Sequence, residues 1–95
     1  MPQQPQSEKS IERAIRRAAK AAGWWTMKVH GGPFQVSGIP DVLCLRNGIA
    51  KWMEVKRPGC RPTPLQAQRM RELEAEGGTP CAVVTSVQEA LEFLG

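Results

Sequence analysis

Hydrophobic residues near the start of the chain recur at the spacing of an amphipathic helix. They form a narrow, alanine-rich stripe of Ile11, Ala14, Ile15, Ala18, Ala19 and Ala22. Ser7 stands where a helix N-cap is expected, and Gly23 stands where a glycine ends a helix. The pattern predicts a first helix between these two residues, preceded by a disordered Pro/Gln-rich tail over residues 1–6.

An alternation of apolar and polar residues with a period of two follows this helix. Residues 24–30 predict a strand, and a glycine-rich loop comes next. Two apolar runs, over residues 41–45 and 49–57, then flank Asn47-Gly48. Asn-Gly is preferred at the centre of a type I′ turn, so this segment predicts a two-residue β-hairpin.

Two further helices and one strand are predicted in the C-terminal half. Residues 63–66 (TPLQ) and 86–89 (SVQE) both have the form of a capping box, which opens a helix. Residues 81–85 predict a short buried strand between these helices. The element order αβββαβα predicts one α/β domain over residues 7–95, with a mixed sheet flanked by helices on both faces.

The predicted turn fixes which residues of the hairpin face each other. The pairs are Arg46–Ile49, Leu45–Ala50, Cys44–Lys51, Leu43–Trp52, Val42–Met53 and Asp41–Glu54. Alternation places Lys56 on the same face as the two acids. Two carboxylates about 5 Å apart repel by about 3 kcal/mol at an effective dielectric near 20, so the pair is unfavourable unless a cation joins it.

A divalent cation held by Asp41, Glu54 and the backbone carbonyl of Val55 would turn this repulsion into attraction. Oxygen ligands favour Mg²⁺ or Mn²⁺ over zinc. Lys56 would then lie close to a scissile phosphate or an attacking water, an arrangement that suits phosphodiester hydrolysis. The competing interpretation is a salt bridge between Glu54 and Lys56 on an edge strand, worth at most about 1 kcal/mol. Apolar residues on both faces indicate internal strands instead, where buried charges need a reason.

These residues also resemble a known signature. Residues 38–41 (GIPD), followed by Glu54-Val55-Lys56, resemble the motif of PD-(D/E)XK nucleases. With Glu8, the segment 28–33 (KVHGGP) and the TPLQ segment added, the chain resembles a stand-alone VRR-NUC domain from Glu8 to its end. The resemblance implies a restriction-endonuclease-like αβββαβ core with an additional C-terminal helix.

The resemblance implies roles for individual residues as well. The active site would be lined by Glu8, Asp41, Glu54 and Gln66, with Lys56 as the catalytic lysine. Glu12 is the alternative to Glu8, and Gln66 already has a complete structural explanation at the third position of a capping box. The implied activity is that of a structure-selective DNA endonuclease, similar to Holliday-junction resolvases, acting as a homodimer in a bacterium or a phage-infected cell.

Charge permits a nucleic-acid partner without identifying one, since 13 basic and nine acidic residues give a net charge of +4. The candidates for DNA contact are Arg57, Arg61, Arg69 and Lys28, whereas the basic face of the first helix is interpreted as a solvated surface. Trp24, Trp25 and Trp52 are expected to be core or dimer contacts.

Two other functions stay open at this point. One is a catalytically silent nucleic-acid-binding module, and the other is a repair or restriction nuclease subunit that needs a partner. No apolar run approaches the roughly 18 residues of a membrane span, and the first ten residues are polar, so a cytoplasmic location is expected.

Overall fold

A computed structural model describes residues 6–30 and 36–95, so most of the predicted tail and of the predicted glycine-rich loop lie outside the described residues. The described chain forms its elements in the predicted order. They are α1 (Glu8–Ala21), β1 (Trp25–Lys28), β2 (Val42–Arg46), β3 (Ile49–Val55), α2 (Pro64–Ala75), β4 (Cys81–Val84) and α3 (Val87–Leu94). No helix in the described part of the chain is long and apolar enough to cross a membrane.

The four strands form one mixed sheet in the order β1-β2-β3-β4. Strand β2 is antiparallel to both β1 and β3, whereas β4 runs parallel to β3. The hairpin strands β2 and β3 are therefore internal, as the apolar residues on both of their faces indicated.

The Asn47-Gly48 turn sets the register of the hairpin. Both residues have positive φ angles, 51° and 78°, as a type I′ turn requires. All five pairs from Arg46–Ile49 to Val42–Met53 match the predicted register. The ladder ends one pair earlier than predicted, because β2 begins at Val42 and Asp41 lies just before it.

One face of the sheet is closed by α1 and α3. The core on this face contains Ile11, Ile15, Ala19, Trp24, Val42, Cys44, Met53, Val55, Val84, Ala90 and Leu94. The buried stripe of α1 is narrower than predicted: Ala14 and Ala18 are half-buried, and Ala22 is exposed. The reason is that the neighbouring position, Glu12, is itself buried and takes up part of the contact surface.

On the opposite face of the sheet, helix α2 contacts β4. Burial raises the pKa of the Cys81 thiol, and the Glu74 carboxylate of α2 raises it further. The prediction that β4 is a buried strand was wrong, because it is an edge strand and only Val84 is fully buried. Further along this face Trp25 and Leu45 are paired neighbours and both are exposed.

Two cations of the hairpin bind the carboxyl ends of α1 and α3. The Arg46 guanidinium donates to the carbonyl oxygens of Ala22 and Gly95 at 3.2 and 2.8 Å, and it lies 4.2 Å from the centroid of the buried Trp24 ring. The Lys51 ammonium donates to the last carbonyl groups of α3 at 3.0 and 3.2 Å. Cations stabilise helix C-termini, so these contacts attach both helices to the turn end of the hairpin.

Gly38 positions the segment that leads into β2. A Cβ atom at this residue would lie 2.8 Å from Cγ of Leu65 and 3.2 Å from Cγ of Arg69, so the chain passes directly against α2. Its φ of +82° also favours glycine. This close approach places Pro40 and Asp41 at the end of the sheet where α1 begins.

We expect Gly38→Ala to destabilise the fold by more than Gly59→Ala. Gly59 has nearly the same φ, +84°, but nothing lies within 4 Å of its would-be Cβ, so its variant measures the cost of the backbone conformation alone. That cost is about 1–2 kcal/mol, and the clash with α2 should add about 1–3 kcal/mol. Urea unfolding of both variants measures the difference. Equal losses of stability in the two variants would mean that α2 does not pack tightly against the segment around Gly38.

Candidate active site

Asp41 is fixed by hydrogen bonds to the strands on both sides of it. Its carboxylate Oδ2 accepts the backbone N–H of Val55 at 2.8 Å, which connects it to β3. Its carbonyl oxygen accepts the N–H of Val29 at 2.7 Å, directly after β1. The side chain therefore continues the hairpin beyond the last ladder pair, and this places the Asp41 carboxylate beside that of Glu54.

Glu54 is a buried carboxylate without a hydrogen-bond partner. The residue is 1% exposed, and neither carboxylate oxygen forms a hydrogen bond with a described residue. The Lys56 ammonium lies 3.8 Å from its Oε1, which places the two side chains on the same face of β3 as alternation predicted. A buried carboxylate whose oxygens lack hydrogen bonds is costly, and the Lys56 ammonium compensates its charge only in part.

The pKa of Glu54 reflects this environment. Burial raises it most, the neighbouring Asp41 carboxylate raises it further, and Lys56 lowers it in part, which together bring the pKa to about 8. The glutamate therefore carries a proton at neutral pH unless a cation compensates its charge.

A cleft of about 590 Å³ opens where α1 begins, beside Asp41 and Val55. Glu8 lies on this cleft with an exposed side chain, and its charge contributes to the raised pKa of Glu54. Glu12 lines the same cleft but is 3% exposed. Its Oε1 is 3.3 Å from the Arg16 guanidinium and 3.7 Å from the Lys28 ammonium, so its charge is already compensated. This geometry favours Glu8 over Glu12 as the glutamate that acts in the cleft.

Gln66 forms the capping box that its position predicts. Its Oε1 accepts the N–H of Thr63 at 2.9 Å, while its own N–H donates to the Thr63 hydroxyl at 3.2 Å. The structural role is thus confirmed, and any role in the active site stays a prediction that would use the amide NH₂ group.

The four predicted DNA-contact residues have different surroundings. Arg57 and Arg61 are exposed, while Lys28 lies on the cleft and faces Glu12. The Arg69 guanidinium donates to the Ser37 carbonyl and to both carboxylate oxygens of Glu72, so it serves the packing of α2. Arg13 and Arg16 belong to the basic helix face interpreted above as solvated surface, and they also line the cleft. Their recurrence on one side of α1 was the available signal.

The donor set at this end of the sheet fits a hard divalent cation. Asp41 and Val55 line the cleft, and the Glu54 carboxylate is close enough to Asp41 to be affected by its charge, with neither Glu54 oxygen hydrogen-bonded to a described residue. Within residues 6–30 and 36–95 no three His, Cys, Asp or Glu side chains converge on one point. Mg²⁺ is commonly held by one or two carboxylates and completes its coordination with water and substrate phosphate. The cysteines are free, and burial raises the pKa of the Cys44 thiol to about 11.

Proteins of known structure share this architecture. No protein-family model and no curated protein matches the sequence. The chain is similar to a solved structure described as "VRR_NUC domain", with a TM-score of 0.75 and 25% identity over 92% of each chain. It is also similar in fold to a "VRR_NUC domain protein", with a TM-score of 0.79 and 16% identity over 96% of this chain and 87% of the other. Both confirm the predicted restriction-endonuclease-like α/β fold.

Glu54 should make the stability of the metal-free protein fall with rising pH. Between pH 4.5 and about 8 the folded protein binds a proton at Glu54 that the unfolded chain does not bind, so the free energy of unfolding decreases through this interval. We expect a decrease on the order of a few kcal/mol in urea unfolding with EDTA. Glu54→Gln should remove most of it, whereas Glu76→Gln, at an exposed position, should retain it. A wild-type protein that is equally stable at pH 5 and pH 9 would contradict the burial of this acid.

Proposed function

Because the chain folds as a VRR-NUC domain, a domain of the nuclease family, we propose that it is a metal-dependent DNA endonuclease that hydrolyses phosphodiester bonds. The observation that carries the proposal is the Glu54 carboxylate, buried beside Asp41 with both oxygens lacking hydrogen bonds and with Lys56 3.8 Å away. Lys56 compensates the charge of this carboxylate only in part, because the pKa of Glu54 stays raised to about 8. A buried acid whose charge is incompletely compensated supports a site that takes up a further cation.

The cation best suited to the site is Mg²⁺ or Mn²⁺, held by Asp41, Glu54 and the carbonyl group of Val55. When bound, such an ion supplies a more acidic water and neutralises charge that develops on the phosphate oxygens. Because the Glu54 proton must leave first, cation uptake should strengthen as the pH rises towards 8.

The protein's own side chains would orient the reacting groups. The Lys56 ammonium, largely buried and held on β3, would stabilise negative charge on the scissile phosphate or orient the attacking water. Asp41 is held by the N–H of Val55, so its carboxylate is fixed in place before substrate arrives. Glu8, exposed on the cleft, is placed to accept a proton from the water. Gln66 is the remaining candidate for a contact with substrate.

Cleavage of a panel of synthetic DNAs tests this proposal. We expect cutting of junction, flap or nicked DNA with Mg²⁺ or Mn²⁺, and a loss of at least about 10²-fold in rate for Lys56→Ala and for Glu54→Gln. Glu76→Gln, which removes an exposed acid at the end of α2, should cut like the wild type. Calorimetry should detect Mn²⁺ uptake by the wild type and little by Glu54→Gln.

Two outcomes would favour the alternative functions. Tight DNA binding with no cleavage of any substrate, unchanged by Glu54→Gln, would indicate a catalytically silent binding module. Cleavage that appears only on addition of a helicase or another protein would indicate a nuclease subunit. Absence of both cation uptake and cleavage under all conditions would end the endonuclease proposal.

We further propose that the enzyme acts as a homodimer on branched DNA, in the manner of a Holliday-junction resolvase. Cutting a four-way junction requires two incisions, and a two-fold symmetric dimer supplies two sites. The open sheet face supports pairing, because Trp25 (57% exposed) and Leu45 (39% exposed) lie side by side on it with Met27 nearby. Contiguous apolar surface of this kind is typical of a protein interface.

Replacement of Leu45 by aspartate should convert the dimer to a monomer. The matched control is Leu91→Asp, because Leu91 on α3 is equally exposed (38%) but belongs to the helical side of the molecule. Light scattering coupled to size exclusion gives the mass of each variant. A wild-type monomer at high micromolar concentration, or equal effects of both variants, would exclude the sheet face as the dimer contact.

A further inference from the structure

A groove of about 540 Å³ runs between α1 and the edge strand β1. Its α1 side consists of four cationic residues, Arg13, Arg16, Arg17 and Lys20. The β1 side is formed by Trp24, Trp25 and Thr26, and no acidic residue lines the groove. We call this feature the α1 groove. Its lining makes it a concave site of one charge sign, which raises the local concentration of anions.

The α1 groove is continuous with the candidate active site. Arg13 and Arg16 line both the groove and the cleft that contains Glu8 and Asp41. A polymeric ligand that occupies the cleft can therefore continue into the groove along the surface of α1.

The charges in the α1 groove are available, unlike most other cations of the protein. Among the described residues, none forms an ion pair with Arg13, Arg17 or Lys20. Arg16 contacts Glu12 through one terminal nitrogen only, and its buried Nε lacks a hydrogen-bond partner. By contrast, Arg46, Lys51 and Arg69 are bound to backbone or carboxylate oxygens of the fold.

The spacing of the free cations suits a phosphodiester backbone. Residues 13, 17 and 20 lie on one face of α1 and span about 10 Å along its axis. From Glu8 to Lys20 the distance along the axis is about 18 Å. Phosphates of one strand advance about 3.4 Å per base step along the duplex axis, so three successive phosphates span about 7 Å, within reach of three long side chains spaced over about 10 Å. The whole track corresponds to about five steps.

We propose that the α1 groove binds the backbone of a DNA strand that extends from the cleavage site, with Arg13, Arg17 and Lys20 contacting successive phosphates. The proposal rests on the proposed nuclease function for the identity of the anion as DNA. It replaces the interpretation of this helix face as solvated surface, and it transfers the main DNA contact from Arg57 and Arg61 to α1. Such contacts hold the strand in register with the site and carry no base specificity.

DNA binding in EDTA, where no cutting occurs, tests the groove separately from catalysis. The variant is Arg17→Ala/Lys20→Ala, at two exposed helix positions where alanine is well tolerated. Fluorescence anisotropy with a labelled branched DNA should show at least a tenfold weaker affinity. The slope of log K against log salt should become shallower by about 2, since each lost phosphate contact removes about 0.9.

The matched variant, Arg57→Ala/Arg61→Ala, removes the same charge from the other candidate residues, where both side chains are also exposed. The proposal predicts a smaller loss of affinity and a smaller change of slope for this pair. Equal or larger effects for Arg57 and Arg61 would overturn it. If thermal melting shows that the α1 double variant is unfolded, Lys20→Gln alone should still lower the slope by about 1, and an unchanged slope there would overturn the proposal.

Binding and cleavage measurements together distinguish the groove proposal from the nuclease proposal. Salt-dependent binding that falls in the α1 variant, together with absent cleavage in Mn²⁺, supports the groove and contradicts the nuclease. Cleavage by a wild-type protein whose α1 variant binds DNA equally well supports the nuclease and contradicts the groove.

Discussion

The candidate site depends on the placement of one buried carboxylate. Glu54 lies on β3, with β2 on one side and β4 on the other, and it is 1% exposed. The turn register sets it beside Asp41 at the start of β2, and pairing to β4 continues past it through the bond from the Lys56 N–H to the Val84 carbonyl. Repulsion between the two acids, lowered by one ammonium group, defines the chemistry that this end of the sheet can perform.

Helix α1 has three different roles within 14 residues. Its apolar side closes the core, its first turn presents Glu8 to the cleft, and its cationic side forms the groove that continues from that cleft. Glu12 lies between these regions, buried and paired with Arg16 and Lys28. Core, candidate site and groove thus share one helix.

Sequence predicted those features that follow from local rules. Asn47-Gly48 predicted the turn and hence the register, and alternation then placed Lys56 beside Glu54. Features that depend on packing between distant elements were missed. The burial of Glu12 and the groove beside β1 arise where α1 crosses the sheet, and the partial exposure of β4 follows from its edge position. The bond from the Val55 N–H to the Asp41 carboxylate was also not predictable, since pattern alone does not show that a side chain replaces a ladder contact.

The two acids of the site contribute unequally to the architecture. Asp41 joins neighbouring strands through its side chain as well as its main chain, so it belongs to the scaffold whatever else it does. Within the described chain Glu54 forms no hydrogen bond, and Lys56 compensates its charge only in part, so its charged form is disfavoured in the folded state. Loss of this glutamate would therefore make the fold more robust, whereas loss of the aspartate would remove contacts between strands.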